Sequence, residues 1–215
     1  LGASNLKLKG LHFHLGSPIF ELDPYRAAIE LVLKFAAGFR EEGLDMVEFS
    51  PGGGFAIAYT HDQEPPAVAE YAETIVSSLQ STCAELGMEL PTLLIEPGRS
   101  IIGSAGVALY RVGAIKNIPG VRKYVSVDGG MGDNIRPALY QATYEVVSAG
   151  KADQNSVEKV TIAGKYCESG DVLASDIMLP KVESGDIIAI PASGAYCPSM
   201  ASNYNSSTNC SVPRH

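Results

Sequence analysis

The sequence predicts an α/β fold followed by a mostly antiparallel β domain, and three observations carry that reading. Over the first hundred residues, short apolar runs alternate with amphipathic helical segments. Each of the three runs breaks off at a loop bearing glycine or proline. After about Gly106 the helical periodicity disappears, and β-rich runs separated by glycine turns take over.

The elements follow in order. Leu8 to Leu15 reads as a strand that stops at Gly16-Ser17-Pro18. A helix begins with Asp23 as N-cap and Pro24 at the first helical position, where a missing N–H costs nothing. Tyr25, Ala28, Ile29, Val32, Phe35, Ala36 and Phe39 recur at three- and four-residue steps as its buried face, and Gly43 is the expected C-terminal cap. Met46 to Phe49 is a second short strand, ending in Ser50-Pro51-Gly52-Gly53-Gly54. The second helix starts near Pro65-Pro66, buries Val68, Ala72, Ile75, Leu79, Cys83 and Leu86, and closes at Gly87. Thr92 to Ile95 is the third strand, read as buried. Strands separated by capped helices imply parallel pairing through crossovers. In the β domain, Val107 to Val112, Tyr124 to Val127, Val157 to Ile162 and Ile187 to Ile190 are the expected strands, and Gly132 to Tyr144 a loop with a short helical turn.

Composition narrows the classes of function. With 215 residues, 46% of them hydrophobic and 19% charged, the chain is long enough to bury a real core. Sixteen basic residues against twenty-four acidic ones give a net charge of −8. With no Lys/Arg cluster either, nucleic acid is excluded as a partner. No apolar run reaches the length of a membrane span and no signal-peptide pattern opens the chain. Cys83, Cys167, Cys197 and Cys210 lack paired metal-ligand spacing, which predicts free thiols in a reducing cytoplasm and no metal site. The chain starts at Leu1 rather than methionine, which points to a truncated start.

The chemistry gathers at the strand ends. Leu93-Leu94-Ile95-Glu96-Pro97-Gly98-Arg99 is an apolar run that ends in a carboxylate, a rigid turn and a guanidinium. In parallel sheets the loops leaving the carboxyl edge lie side by side and can converge on one ligand. His14 with Gly16-Ser17 offers a ring and a hydroxyl, and Gly52-Gly53-Gly54 lets backbone N–H groups approach an anion. Glu96 and Arg99 supply charges. A ring to stack on, a phosphate to cradle and a ring nitrogen to keep protonated together describe pyridoxal 5'-phosphate. Each part also has a plainer reading: a rim salt bridge between Glu96 and Arg99, a hydrogen-bonded core histidine at His14, a flexible turn at the glycines. His12, two residues from His14, is expected on the opposite face of the strand, so that only one of them faces the ligand. A nucleotide-binding domain is disfavoured because no G-x-G-x-x-G opens a helix after a strand.

Six separated motifs then carry a resemblance. GLHFHLGS (10 to 17), FSPGGGF (49 to 55), EPGRSI (96 to 101), RPALY (136 to 140), CESGD (167 to 171) and GAYCPSMASNYN (194 to 205) resemble, in the same order, the diaminopimelate decarboxylase family, which belongs to the barrel-type, fold type III pyridoxal phosphate decarboxylases. The resemblance implies a partial TIM-type (β/α) barrel, its last three βα units, over 1–105. A C-terminal β-barrel or β-sandwich domain over 106–205 and a divergent, disordered tail over 206–215 complete the expected organisation. It implies decarboxylation of the small-molecule substrate meso-diaminopimelate to lysine, in a homodimer with shared active sites. By similarity His14 stacks on the cofactor ring, a catalytic as well as a binding role. Ser17, Gly53, Gly54, Gly98, Arg99 and Tyr196 hold the phosphate, and Glu96 holds the pyridine nitrogen. Arg99, Arg136 and Tyr140 bind substrate carboxylates. Cys167 returns a proton, and Glu168 grips the distal amino end. From the residues alone, Cys167 reads as an inert buried thiol, Arg136 as the brace of a turn and Tyr196 as a core aromatic. Decarboxylases of the ornithine, arginine or carboxynorspermidine type, and a non-catalytic homologue, are the alternatives. None of Lys7, Lys9, Lys34, Lys116, Lys123, Lys151, Lys159, Lys165 and Lys181 has the context of the Schiff-base lysine, so this chain alone is expected to be inactive.

Overall fold

The computed structural model describes residues 2–208. Most of the expected tail, residues 209–215, therefore lies outside the described residues; at its start, Ser206 closes a short 3-10 turn, Tyr204–Ser206. The chain divides into two compact units, one comprising Leu1–Ile57 and Glu64–Ile101, the other Ala58–Gln63 and Ile102–His215.

The first unit runs β1 (Gly10–His12), α1 (Asp23–Ala37), β2 (Glu48–Ser50), α2 (Val68–Leu86), β3 (Thr92–Leu93) and α3 (Gly98–Ile102). The sheet order is β1-β2-β3 and both pairings are parallel, with Leu11 opposite Phe49 and Phe49 opposite Leu93. This is the predicted alternation, and it is a partial barrel unit rather than a closed one. The strands are shorter than the apolar runs suggest, because the chain leaves regular pairing once its loops begin to bond to one another. Isolated parallel bridges Ile19 to Phe55 and Gly53 to Glu96 continue the contact beyond the strands.

Around the sheet, Tyr25, Ile29, Leu33 and Ala36 of α1 pack with Tyr71, Ile75, Leu79 and Cys83 of α2, together with Phe49 and Phe55. Tyr25, Phe55 and Tyr71 form an aromatic knot: Phe55 and Tyr71 stack at 4.6 Å, and Tyr25 meets both edge-on. Such contacts add about 1 kcal/mol each beyond the area they bury.

Several details differ from the sequence expectation. Helix α1 stops at Ala37, capped by Gly38, and Gly43 instead ends the following turns at φ 94°. Leu22 takes the N-cap position, leaving Asp23 in the first turn, where it pairs with Arg26. Leu33 is buried in place of Phe35, which is exposed and packs against Phe39 along the helix surface. In α2, Tyr71 and Thr74 are buried while Val68 and Ala72 are exposed. Leu94 and Ile95 are also exposed, since β3 is an edge strand among the described residues.

The second unit holds β4 (Ala108–Ile118), β5 (Arg122–Val127), α4 (Arg136–Tyr140), β6 (Val147–Ser148), β7 (Glu158–Ala163), β8 (Val172–Leu179) and β9 (Ile187–Ile190). They form a mixed sheet ordered β6-β9-β4-β5-β7-β8, antiparallel except where β5 meets β7. Its core includes Tyr110, Val112, Val125, Val160, Ile162, Leu173, Ile188 and Ile190. Strand β8 escaped the sequence reading because Asp176 sits at φ 55° and the pairing with β7 shifts register, which breaks the alternation.

The Tyr25 hydroxyl reaches out of the aromatic knot to donate to the Gly53 carbonyl at 2.6 Å. Burial, with Tyr71 alongside, pushes its pKa up to about 12, so it stays a donor. Tyr25→Phe is expected to cost about 1–2 kcal/mol in a urea unfolding measurement, because that carbonyl loses its partner. An unchanged midpoint would show that the hydroxyl does not hold the loop.

Candidate active site

The site in the first unit is built from three strand-end loops. After β1, the chain carries His14 and Ser17; after β2, the triglycine; after β3, Glu96, Gly98 and Arg99. His14 Nδ1 accepts from the Gly53 N–H at 3.3 Å, and Gly53 bridges Glu96. The Glu96 N–H donates to the Gly52 carbonyl at 2.9 Å, and the Gly98 N–H to the Glu96 carbonyl at the same distance. Arg99, 5% exposed, donates from Nε to the Ser17 hydroxyl at 3.1 Å. All seven of the first unit's predicted site residues thus belong to one connected rim.

Glycine is obligatory at the centre of this rim. A Cβ on Gly53 would lie 1.9 Å from the Glu96 carbonyl oxygen, and one on Gly54, at φ 98°, would lie 2.3 Å from that of Gly16. Both approaches are far inside van der Waals contact, so the loops can meet only over bare backbone.

His12 departs from the expectation. Strand β1 ends at His12, so strand alternation does not extend to His14, and the His12 ring lies at the same rim. Its Nε2 is 3.1 Å from Glu96 Oε1 and 3.3 Å from Oε2. The expected rim salt bridge between Glu96 and Arg99 is not found among the described contacts; the side chain that meets Glu96 is His12. Sequence spacing could not reveal this, since the two residues are 84 positions apart.

As a donor set, the rim fits pyridoxal phosphate. A guanidinium and a hydroxyl sit together where an anionic group would be held, a carboxylate stands on the neighbouring loop, and an imidazole is bonded to the triglycine between the two in the chain.

In the second unit, Arg136 opens α4 and is 5% exposed. Its Nη1 donates to the Tyr144 hydroxyl at 2.8 Å and the Tyr59 hydroxyl at 3.1 Å, and the guanidinium lies over both rings. Burial pulls its pKa down, but the oxygens of Tyr144 and Tyr59 outweigh that and the value ends above the ordinary one. A buried cation whose hydrogen-bond partners are neutral phenols is suited to receive a carboxylate. Tyr59 and Tyr144 were not singled out from the sequence. Tyr140, on the same helix, is exposed.

Cys167 is exposed, which overturns the reading of it as an inert buried thiol. The neighbouring Glu168 accepts from the Tyr204 hydroxyl at 3.0 Å and the Ser169 hydroxyl at 3.2 Å, and these bonds, Tyr204 foremost, hold its carboxyl below the usual range. The loop is tied down by Asp171, the last residue of CESGD. Its carboxylate accepts from the N–H groups of Met131 at 2.6 Å and Tyr166 at 2.7 Å. Gly130 and Gly164 must be glycine here, because a Cβ on either would fall within 2.3 Å of an Asp171 oxygen. Tyr196 is exposed, which overturns the reading of it as a core aromatic, and it sits at φ 67°, a left-handed backbone that costs a non-glycine residue about 1 kcal/mol.

Comparison with known proteins places these features in context. A family model described as "Pyridoxal-dependent decarboxylase, pyridoxal binding domain" matches residues 2–103. The diaminopimelate decarboxylase of Bacillus subtilis is 46% identical over 206 residues, which cover 95% of this chain and 47% of that protein. A crystal structure of the M. jannaschii diaminopimelate decarboxylase with L-lysine superposes with a TM-score of 0.85 at 38% identity, covering 93% of this chain and 45% of the other. A lysine/ornithine decarboxylase of Vibrio vulnificus complexed with cadaverine gives 0.82 at 26% identity, over 95% of this chain and 53% of the other. The chain therefore spans about half the length of the proteins it matches.

Tyr59 is kept beside Arg136 by a clasp on its own segment. The His61 imidazole meets the Glu145 carboxylate at 2.9 Å, and the Glu145 N–H donates to the Tyr59 carbonyl at 2.8 Å. The hydrogen bond to Glu145, then its charge, raise the His61 pKa. A raised histidine contributes stability that is complete below its unfolded value, near 6.5, and is lost as pH rises through the folded one. NMR titration should place His61 above an ordinary histidine, and Glu145→Gln should remove the elevation. A His61 that titrates alike in both proteins would contradict the clasp.

Proposed function

We infer, from a chain homologous to the diaminopimelate decarboxylases over nearly all of its length, that it forms part of a pyridoxal phosphate-dependent enzyme releasing carbon dioxide from meso-diaminopimelate and yielding lysine. The observation that carries this reading is the single hydrogen-bonded rim joining His14, Gly53, Glu96, Arg99 and Ser17.

Each residue then has a defined task. His14 stacks on the cofactor ring. Ser17, Gly53, Gly54, Gly98 and Arg99 hold the phosphate, with Tyr196 as a further ligand offered by the second unit. Glu96 keeps a proton on the pyridine nitrogen. When bound, the cofactor would supply an electron sink for the pair left on the α-carbon as carbon dioxide departs. Arg99, Arg136 and Tyr140 orient carboxylates of the substrate. Arg136 suits this task because its phenol partners fix the planar fork without neutralising it. Cys167 returns a proton to the α-carbon. Glu168, held ionised by Tyr204 and Ser169, grips the distal ammonium. Cys167 and Glu168 act across the interface of a homodimer. The lysine that carries the cofactor's aldehyde comes from outside these 215 residues. Among the described residues no helix is long and apolar enough to cross a membrane.

Carbon dioxide release is the direct test. The whole protein that carries this chain should act on meso-diaminopimelate in preference to ornithine or lysine, and the 215-residue chain by itself should release none. Preference for ornithine or lysine would favour a decarboxylase of the other basic amino acids, and turnover by the isolated chain would refute the assignment of the missing lysine. In the whole protein, Cys167→Ala should lower kcat by about a hundredfold or more with little change in KM, the signature of a lost proton donor. An unchanged kcat would remove Cys167 from the reaction.

A further inference from the structure

We propose that His12 is a positioning residue for Glu96, setting the carboxylate in the orientation from which it holds a protonated ring nitrogen. The inference rests on the reading of Glu96 given above and adds to it a residue that touches neither cofactor nor substrate.

Three observations support it. The first is geometric: His12 Nε2 faces both carboxylate oxygens, at 3.1 and 3.3 Å, so the imidazole addresses the whole group rather than one end of it. Among the described residues no other side chain hydrogen-bonds Glu96. The second concerns what is already fixed. The Glu96 backbone is anchored by its N–H to the Gly52 carbonyl and by the bridge to Gly53, but the side chain beyond it retains three rotatable bonds. His12 supplies the contact that selects one arrangement of them. The third is energetic. Both side chains are about half exposed, 52% and 55%, and an exposed ion pair contributes little to holding a fold together. What such a contact can do is decide where a carboxylate points.

The arrangement leaves Glu96 free to act. An ionised carboxylate offers about four lone-pair directions, and one imidazole N–H shared between the two oxygens leaves the outer ones for a ring N–H. His12 is itself placed by β1, where it pairs in register with Ser50, while His14 is engaged separately with the Gly53 N–H. The two histidines of the HFH string thus have different tasks.

The test uses the whole protein loaded with pyridoxal phosphate labelled with nitrogen-15 in the ring, whose chemical shift reports protonation of that nitrogen. His12→Ala should move the signal toward the unprotonated position and weaken cofactor retention by about tenfold, the scale of one charge-assisted hydrogen bond. His12→Gln, whose amide N–H can stand in for Nε2–H, should restore both, and thermal unfolding of the cofactor-free proteins should be alike. Glu96→Gln sets the unprotonated limit. If Glu96→Gln moves the signal and His12→Ala does not, or if His12→Gln rescues nothing, the positioning role is overturned. If Glu96→Gln leaves the signal in place, the reading of Glu96 itself fails and the proposal falls with it.

Discussion

The first unit depends on a backbone contact that no side chain could survive. Gly53 lies against the Glu96 carbonyl so closely that a Cβ would sit 1.9 Å away, and Gly54 approaches Gly16 in the same manner. These two approaches bring three strand-end loops into one rim. The aromatic knot beneath enforces them: the Tyr25 hydroxyl holds the Gly53 carbonyl, and the Tyr71 hydroxyl, 2.5 Å from the Ile19 carbonyl, holds the loop on the other side. Packing and site geometry are thus one construction, in which the core residues that stabilise the unit also fix the loops that carry charge.

Charge is distributed over that rim with a clear logic. Glu96 and Arg99 stand three residues apart, and among the described contacts Glu96 meets His12 while Arg99 donates to Ser17. In the second unit a cation is held by phenols. Arg136 is buried among Tyr59 and Tyr144, which take hydrogen bonds from its Nη1 without cancelling its charge.

The sequence made much of this legible. Apolar runs broken by glycine and proline located the strands and their order, and the loops expected to converge do so in the first unit. Residues whose role is set by partners distant in the chain were harder to read. Strand alternation puts His12 on the far face from His14, but β1 ends at His12 and the alternation stops there. Tyr25 and Tyr71 read as core alone, since periodicity reports burial and not the direction of a hydroxyl. Helical spacing puts Phe35 and Val68 inside, whereas the helix faces turn Leu33 and Tyr71 inward instead. Leu94 and Ile95 look like a buried strand because their hydrophobicity does not say which neighbours cover them. Asp171 is visible in its motif, but only the structure reveals that its oxygens pin the loop bearing Cys167 and Glu168.

The central claim is that the rim of His14, the triglycine, Glu96 and Arg99 is a single cofactor cradle. A crystal structure of the whole protein with pyridoxal phosphate tests it most directly. The account predicts the phosphate within hydrogen-bond distance of Ser17 and Arg99, the ring against His14, and the ring nitrogen on the Glu96 carboxylate. A cofactor seated elsewhere, or one whose ring nitrogen faces solvent with Glu96 turned away, would contradict it.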